Sequence, residues 1–167
     1  MPAKPFVKRL AGWVFEAIVL LALVYLIHLW QTRHTVAGMA PALSGSLLGG
    51  GEFGLVQQRG RPVLVHFWAT WCPVCRLEAG NIERLVDDYP VITIAMRSGS
   101  PAAVHAYLKE NDLNFSVISD PDGRLAADWG VSAVPTTFML DAQGQIRFVE
   151  VGYTTSLGLR LRMAWLD

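Results

Sequence analysis

Two cysteines occur in this chain of 167 residues, Cys72 and Cys75, with only Pro73 and Val74 between them. Two thiols supply neither a disulfide framework nor a structural zinc cluster, but they make one redox pair. A continuous apolar run leads straight into Cys72 and a helical pattern starts at Pro73. The first thiol therefore falls at a helix N-terminus, where unpaired backbone N–H groups and the helix dipole favour a thiolate. Pro73 at the first helical turn forfeits no hydrogen bond. Cys75, less than a turn further on the same side, is placed to attack a mixed disulfide on Cys72, releasing reduced substrate and leaving Cys72–Cys75 bridged. Cys72 is thus the nucleophile and Cys75 the resolving thiol. A structural bridge and half of a metal site are the competing readings. The second lacks ligands, since no further CxxC and no HxxxH is present, and no metal or cofactor beyond the redox-active disulfide is expected.

The elements that must hold this pair alternate. Pro62–Trp68 and Val91–Met96 read as buried strands, and Pro73–Tyr89 keeps helical apolar spacing through Ile82, Leu85, Val86 and Tyr89. Ser100 and Pro101 supply an N-cap and a first-turn proline for a helix ending near Asn111. Phe115–Ser119 is a short strand and Leu125–Trp129 a short helix. Thr136–Asp141 and Ile146–Val151 form a hairpin, and Ser156–Leu166 is a closing helix. Such alternation predicts an α/β sandwich, a mixed central sheet with helices on both faces.

Fourteen basic residues balance fourteen acidic ones, and no basic excess marks a nucleic-acid binder. With 52% apolar and 17% charged residues the chain is also not a disordered one. The apolar excess is concentrated in Ala11–Trp30, whose only formal charge is Glu16. Twenty helical residues span about 30 Å, the thickness of a bilayer core. Lys4, Lys8 and Arg9 precede the run, so the positive-inside bias puts residues 1–9 in the cytoplasm, a transmembrane anchor over 10–30 and the rest outside. The run is too long, and ends in residues too bulky, for a cleaved signal peptide. The glycine-rich stretch 31–56 reads as a flexible linker with a short edge strand near Glu52–Val56, and the folded domain as 57–167.

On HFWATWCPVCRLE (His66–Glu78), AVPTTF (Ala133–Phe138) and the order of elements over nearly all of 57–167, the chain resembles the thioredoxin superfamily. Within it, the resemblance is to the membrane-anchored TlpA/ResA/CcmG-type thiol-disulfide oxidoreductases. IAMRSG (Ile94–Gly99), GYTT (Gly152–Thr155) and the Leu159–Trp165 helix look like the suppressor-for-copper-sensitivity protein D (ScsD) branch. The resemblance implies that Pro135 is the family's cis-proline, packed beside the CxxC, with the backbone of Val134 free to pair with an extended substrate segment. Trp71, Pro73 and Thr136 would complete the substrate surface. Glu78 matches an acidic residue three positions after the second cysteine. It is read either as a part-buried carboxyl with a raised pKa that takes the proton from Cys75, or as a solvated helix charge. His66 stands where thioredoxin has a buried Asp. It is read first as a satisfied core histidine, and second as a base that tunes the pair if it lies beneath Cys75. Gly80 replaces a helix-kinking proline of many relatives. Arg97 reads as a solvated loop charge, His105 as a surface residue, and Asp120–Gly123 as a turn.

The function that the resemblance implies is a periplasmic thiol-disulfide oxidoreductase, a reductase of disulfide-bearing proteins, held to the bacterial inner membrane by its N-terminal helix. Its electrons would come from a transmembrane donor of the DsbD/ScsB kind, and the ScsD likeness implies a link to copper tolerance. Reduction of apocytochrome c thiols is an alternative that the tether and Glu78 suit. A non-catalytic module that binds peptides in the cis-proline groove is another, against which the retention of Cys72, Cys75, Trp71 and Pro135 weighs.

Overall fold

The N-terminal apolar run forms one helix, α1 (Lys4–Thr32). The computed structural model describes the backbone of residues 4–32 and 35–167 and the side chains of residues 12–27 and 35–167. The chain divides into two units, Met1–Arg33 and His34–Asp167. In α1 every described side chain is exposed, Trp13, Phe15, Leu21 and Leu26 among them. Among the described residues no helix is long and apolar enough to cross a membrane. Of the anchor expected over 10–30, the side chains of residues 10, 11 and 28–30 lie outside the described ones.

The stretch expected as a flexible linker is folded from residue 35 onward. It carries β1 (Gly38–Met39), β2 (Ser44–Ser46), β3 (Glu52–Gly54) and a 3₁₀ turn over Leu55–Gln58. Its anchors are apolar: Leu43 and Leu55 are buried, and Leu55 N–H donates to Leu43 C=O at 2.8 Å. The glycines serve a tight β2–β3 hairpin, because Gly50 and Gly51 take φ of 96° and 86°, a region that side chains with a Cβ resist.

The strands and helices that follow are β4 (Val63–Trp68), α2 (Pro73–Glu83), β5 (Val91–Met96), α3 (Pro101–Glu110), β6 (Ser116–Asp120), α4 (Arg124–Asp128), β7 (Thr136–Leu140), β8 (Gln145–Val151) and α5 (Ser156–Leu166). Six strands form a mixed sheet in the order β1-β8-β7-β4-β5-β6, with β4, β5 and β6 parallel and β7 and β8 antiparallel to their neighbours. Side chains alternate across it. Leu64 and Trp68 of β4 pack with Ile82 of α2, Val104 and Leu108 of α3, and Leu159 and Met163 of α5. Val65 and Phe67 face the other way, toward Trp129, Phe138, Leu43 and Leu55. The expected helices on both faces are present, but the second face is covered by little more than α4 and the N-terminal stretch.

The helix expected to reach Tyr89 ends at Glu83. Beyond it Leu85 N–H donates to Ile82 C=O and Val86 N–H to Glu83 C=O, three-residue turns whose apolar spacing resembles that of the helix they replace.

Candidate redox site

Strand β4 is buried along its whole length and delivers the chain through Ala69–Trp71 to the start of α2. Cys72 is the N-cap of that helix, and its sulfur stands in for the usual hydroxyl or carboxylate oxygen: Cys75 N–H donates to Cys72 Sγ at 3.2 Å. Pro73 occupies the first turn as expected. Both thiols are free. Cys72 Sγ donates to Val134 C=O at 3.5 Å, and the Val134–Pro135 bond is cis. The Cys72 sulfur is thus pinned between the helix N-terminus and the cis-proline loop, with only 4% of the residue exposed.

The two thiols are not equivalent. Burial pushes the Cys75 thiol well up, reinforced by its hydrogen bond with Cys72 and by the charges of Cys72 and Glu78, while a backbone hydrogen bond at Ala69 pulls the other way.

The approach to Cys72 is braced by the loop after β5. Trp71, 59% exposed, donates its Nε1–H to Arg97 C=O at 3.0 Å, and Thr70 N–H donates to Ser98 Oγ at 3.1 Å. Arg97 adopts φ of 46° to present that carbonyl. Trp71 and Val74 are exposed beside the pair. Thr136, expected on the substrate surface, is buried, and its Oγ1–H donates to Ala133 C=O at 2.8 Å. Its hydroxyl completes the local turn.

Glu78 is fully buried, which excludes the solvated-charge reading. It lies three residues after Cys75, on the same helix face. Oε1 accepts Thr154 N–H at 2.9 Å, and Oε2 has no hydrogen-bond partner. Burial pushes its pKa up to about 7; the Thr154 N–H restrains the rise and the negative charge of Glu150 adds to it.

His66 shares the sheet face of Leu64 and Trp68, the side on which α2 packs. It is buried, its Nδ1 shares a hydrogen bond with Thr137 Oγ1 at 2.9 Å, and burial lowers its pKa to about 3. Burial and the bond to Thr137 make it a satisfied core histidine, the first of the two expected readings. Residues that sequence reasoning passed over are Ser98, Asn81 and Thr154. The one signal for Asn81 was a polar residue beside Ile82, a turn beyond Glu78.

The family model for AhpC/TSA matches residues 36–149. A thioredoxin-like protein of Haemophilus influenzae is 36% identical over 108 residues, covering 64% of each chain. The thiol-disulfide oxidoreductase ResA of Geobacillus thermodenitrificans is 30% identical over 129 residues, covering 75% of this chain and 74% of that one. Among solved structures, a DsbF homologue from Corynebacterium diphtheriae superposes with a TM-score of 0.69 at 27% identity, over 77% of this chain and 86% of that one.

Proposed function

The chain belongs to the AhpC/TSA family, and we propose that within it the chain is a thiol-disulfide oxidoreductase, exchanging a substrate disulfide for the Cys72–Cys75 bridge. One observation carries the reading: two free thiols share a helix N-terminus, the first capping it with its sulfur 3.2 Å from the N–H of the second. The likeness to proteins named as thiol-disulfide oxidoreductases and thiol:disulfide interchange proteins supports it.

The exchange runs in two displacements. The Cys72 thiolate attacks one sulfur of the substrate bridge, whose other sulfur leaves as a thiolate and takes up a proton. Cys75 then loses its proton to the Glu78 carboxylate and attacks the Cys72 sulfur of the mixed disulfide. The Cys72–substrate bond breaks, the Cys72–Cys75 bond forms, and the substrate departs with two electrons gained. A base is needed because burial keeps Cys75 protonated, and a carboxyl titrating near 7 is matched to that task. Displacing the Cys72–Val134 hydrogen bond frees the Val134 carbonyl for an extended substrate segment beside Pro135.

The direction of flow we assign is reduction, with disulfide-bearing periplasmic proteins as substrates and a transmembrane donor of the DsbD/ScsB kind as electron source. Residues 10–30 anchor the chain to the inner membrane, with residues 1–9 in the cytoplasm. Lys4, Lys8 and Arg9 ahead of the apolar run support this placement. The ScsD-like stretches Ile94–Gly99 and Gly152–Thr155 support a place in copper tolerance. Apocytochrome c thiols are the second substrate reading, favoured by the buried carboxyl at Glu78.

Turnover of insulin reduction with dithiothreitol as the electron source tests the activity. The wild-type chain accelerates precipitation of the insulin B chain and Cys72→Ser does not. Equal rates for the two would refute exchange through this pair.

A further inference from the structure

Glu78 and Asn81 lie one turn apart on α2 and hold the two ends of the same residue. Thr154 N–H donates to Glu78 Oε1 at 2.9 Å, while Asn81 Nδ2 donates to Thr154 C=O at 3.0 Å and to Tyr153 Oη at 3.0 Å. The orientation of the Asn81 amide is fixed independently, because Oδ1 accepts from Arg84 Nη1 at 3.1 Å, which turns Nδ2 toward Thr154.

The loop that carries Thr154 is held at both ends. Gly152 N–H donates to the carbonyl of the cis-proline Pro135 at 2.8 Å. Thr155 caps α5, its Oγ1 accepting Gly158 N–H at 3.2 Å. Residues 152–155 therefore form a strap from the substrate-binding loop to the acid of the redox helix. Asn81 is its attachment to α2 beside Glu78, and at 8% exposure its amide has little competing water.

Resting on the exchange mechanism above, we propose that Asn81 is a positioning residue: by clamping the Thr154 peptide it keeps one N–H on Glu78 and sets the pH at which that carboxyl accepts the Cys75 proton. Cys75 on its own helix and Glu150 on β8 interact with Glu78 through charge, and Glu150 is ion-paired with Arg162 of α5. Tyr153 of the strap bonds to Asn81, and His66 lies on the sheet face that α2 covers. None of them donates a hydrogen bond to Glu78; the Thr154 N–H is its sole donor among the described residues.

The test is a carboxyl titration by NMR of the full chain in mild detergent, with ¹³C-labelled glutamate and the Glu78 resonance assigned by its loss in Glu78→Gln. Asn81→Ala releases the strap, weakens the hydrogen bond to the charged carboxylate and raises the Glu78 midpoint by about one pH unit. The pH profile of substrate release moves with it. Arg84→Ala, on the exposed side, frees Asn81 Oδ1 and gives a smaller shift of the same sign, which keeps the test available should Asn81→Ala fold poorly. Tyr153→Phe leaves the Thr154 clamp in place and the midpoint where it was. An unchanged or lowered midpoint in both Asn81→Ala and Arg84→Ala, with only thermal stability reduced, would overturn the proposal and leave Asn81 a packing residue. The titration needs no turnover, so a shifted midpoint in a chain that fails to reduce insulin would spare the clamp and sink the exchange reading.

Discussion

Cys72 and Cys75 are three residues apart and nearly equally buried, yet their surroundings divide the labour between them. Cys72 Sγ accepts the Cys75 N–H, while burial holds Cys75 in its protonated form. In the reduced chain iodoacetamide should therefore label Cys72 at least about tenfold faster than Cys75, since only the thiolate reacts; equal labelling, read by peptide mass spectrometry, would contradict that asymmetry. Glu78→Gln removes the proposed base without removing bulk. Release of reduced substrate, followed by stopped flow at neutral pH, should slow by about a hundredfold while formation of the mixed disulfide keeps its rate. A loss confined to the first step would instead place Glu78 in thiolate formation.

At the scale of elements, what was legible in the sequence follows from how each signal is encoded. Val91–Met96 and Ser156–Leu166 form the elements that their patterns predict, because buried strands and capped helices write themselves into consecutive residues. The role of residues 36–56 was hidden for the opposite reason. Leu43, Leu47 and Leu55 are isolated among glycines, and what they pack against, such as Ile118 and Phe138, lies far along the chain. Composition marked the stretch as a linker; tertiary contacts make it part of the second core. Leu43→Ala should accordingly cost about 2–5 kcal/mol of stability, seen as a lower urea midpoint with exchange retained, whereas a change below about 0.5 kcal/mol would return the stretch to a surface tether. The site divides in the same way. The pair and Pro135 stand in contiguous motifs, but the clamp of Asn81 on Thr154 joins residues 73 positions apart, which no local spacing reveals.

For the whole molecule, Glu78 and His66 pull the pH dependence of stability in opposite directions. Glu78 titrates near 7 when folded and near 4.5 when unfolded, so the folded state holds the extra proton between those values and stability falls as pH rises through them, by about 3 kcal/mol in all. His66 is lowered from 6.5 to about 3, so the unfolded state binds the extra proton in that window and stability falls as pH drops. Between about pH 4.5 and 6.5 the two slopes offset each other. The urea midpoint of the wild-type chain should be flat there and decline on the acid side, where Asp141, held low by the Gln145, Arg147 and Gln143 donors despite its burial, adds to the loss. Glu78→Gln should abolish the plateau, leaving a continuous decline below pH 6.5 of about 1.4 kcal/mol per unit. A variant curve parallel to the wild type would show that Glu78 does not titrate in this window.

The central claim is that electrons pass through the Cys72 sulfur with Cys75 completing the exchange, and trapping reads it directly. Incubated with a bridged protein such as insulin, Cys75→Ser should accumulate a covalent adduct that dithiothreitol releases and that peptide mapping places on Cys72. Cys72→Ser should accumulate none. Absence of adduct from Cys75→Ser, or equal adduct from the two variants, would contradict the account.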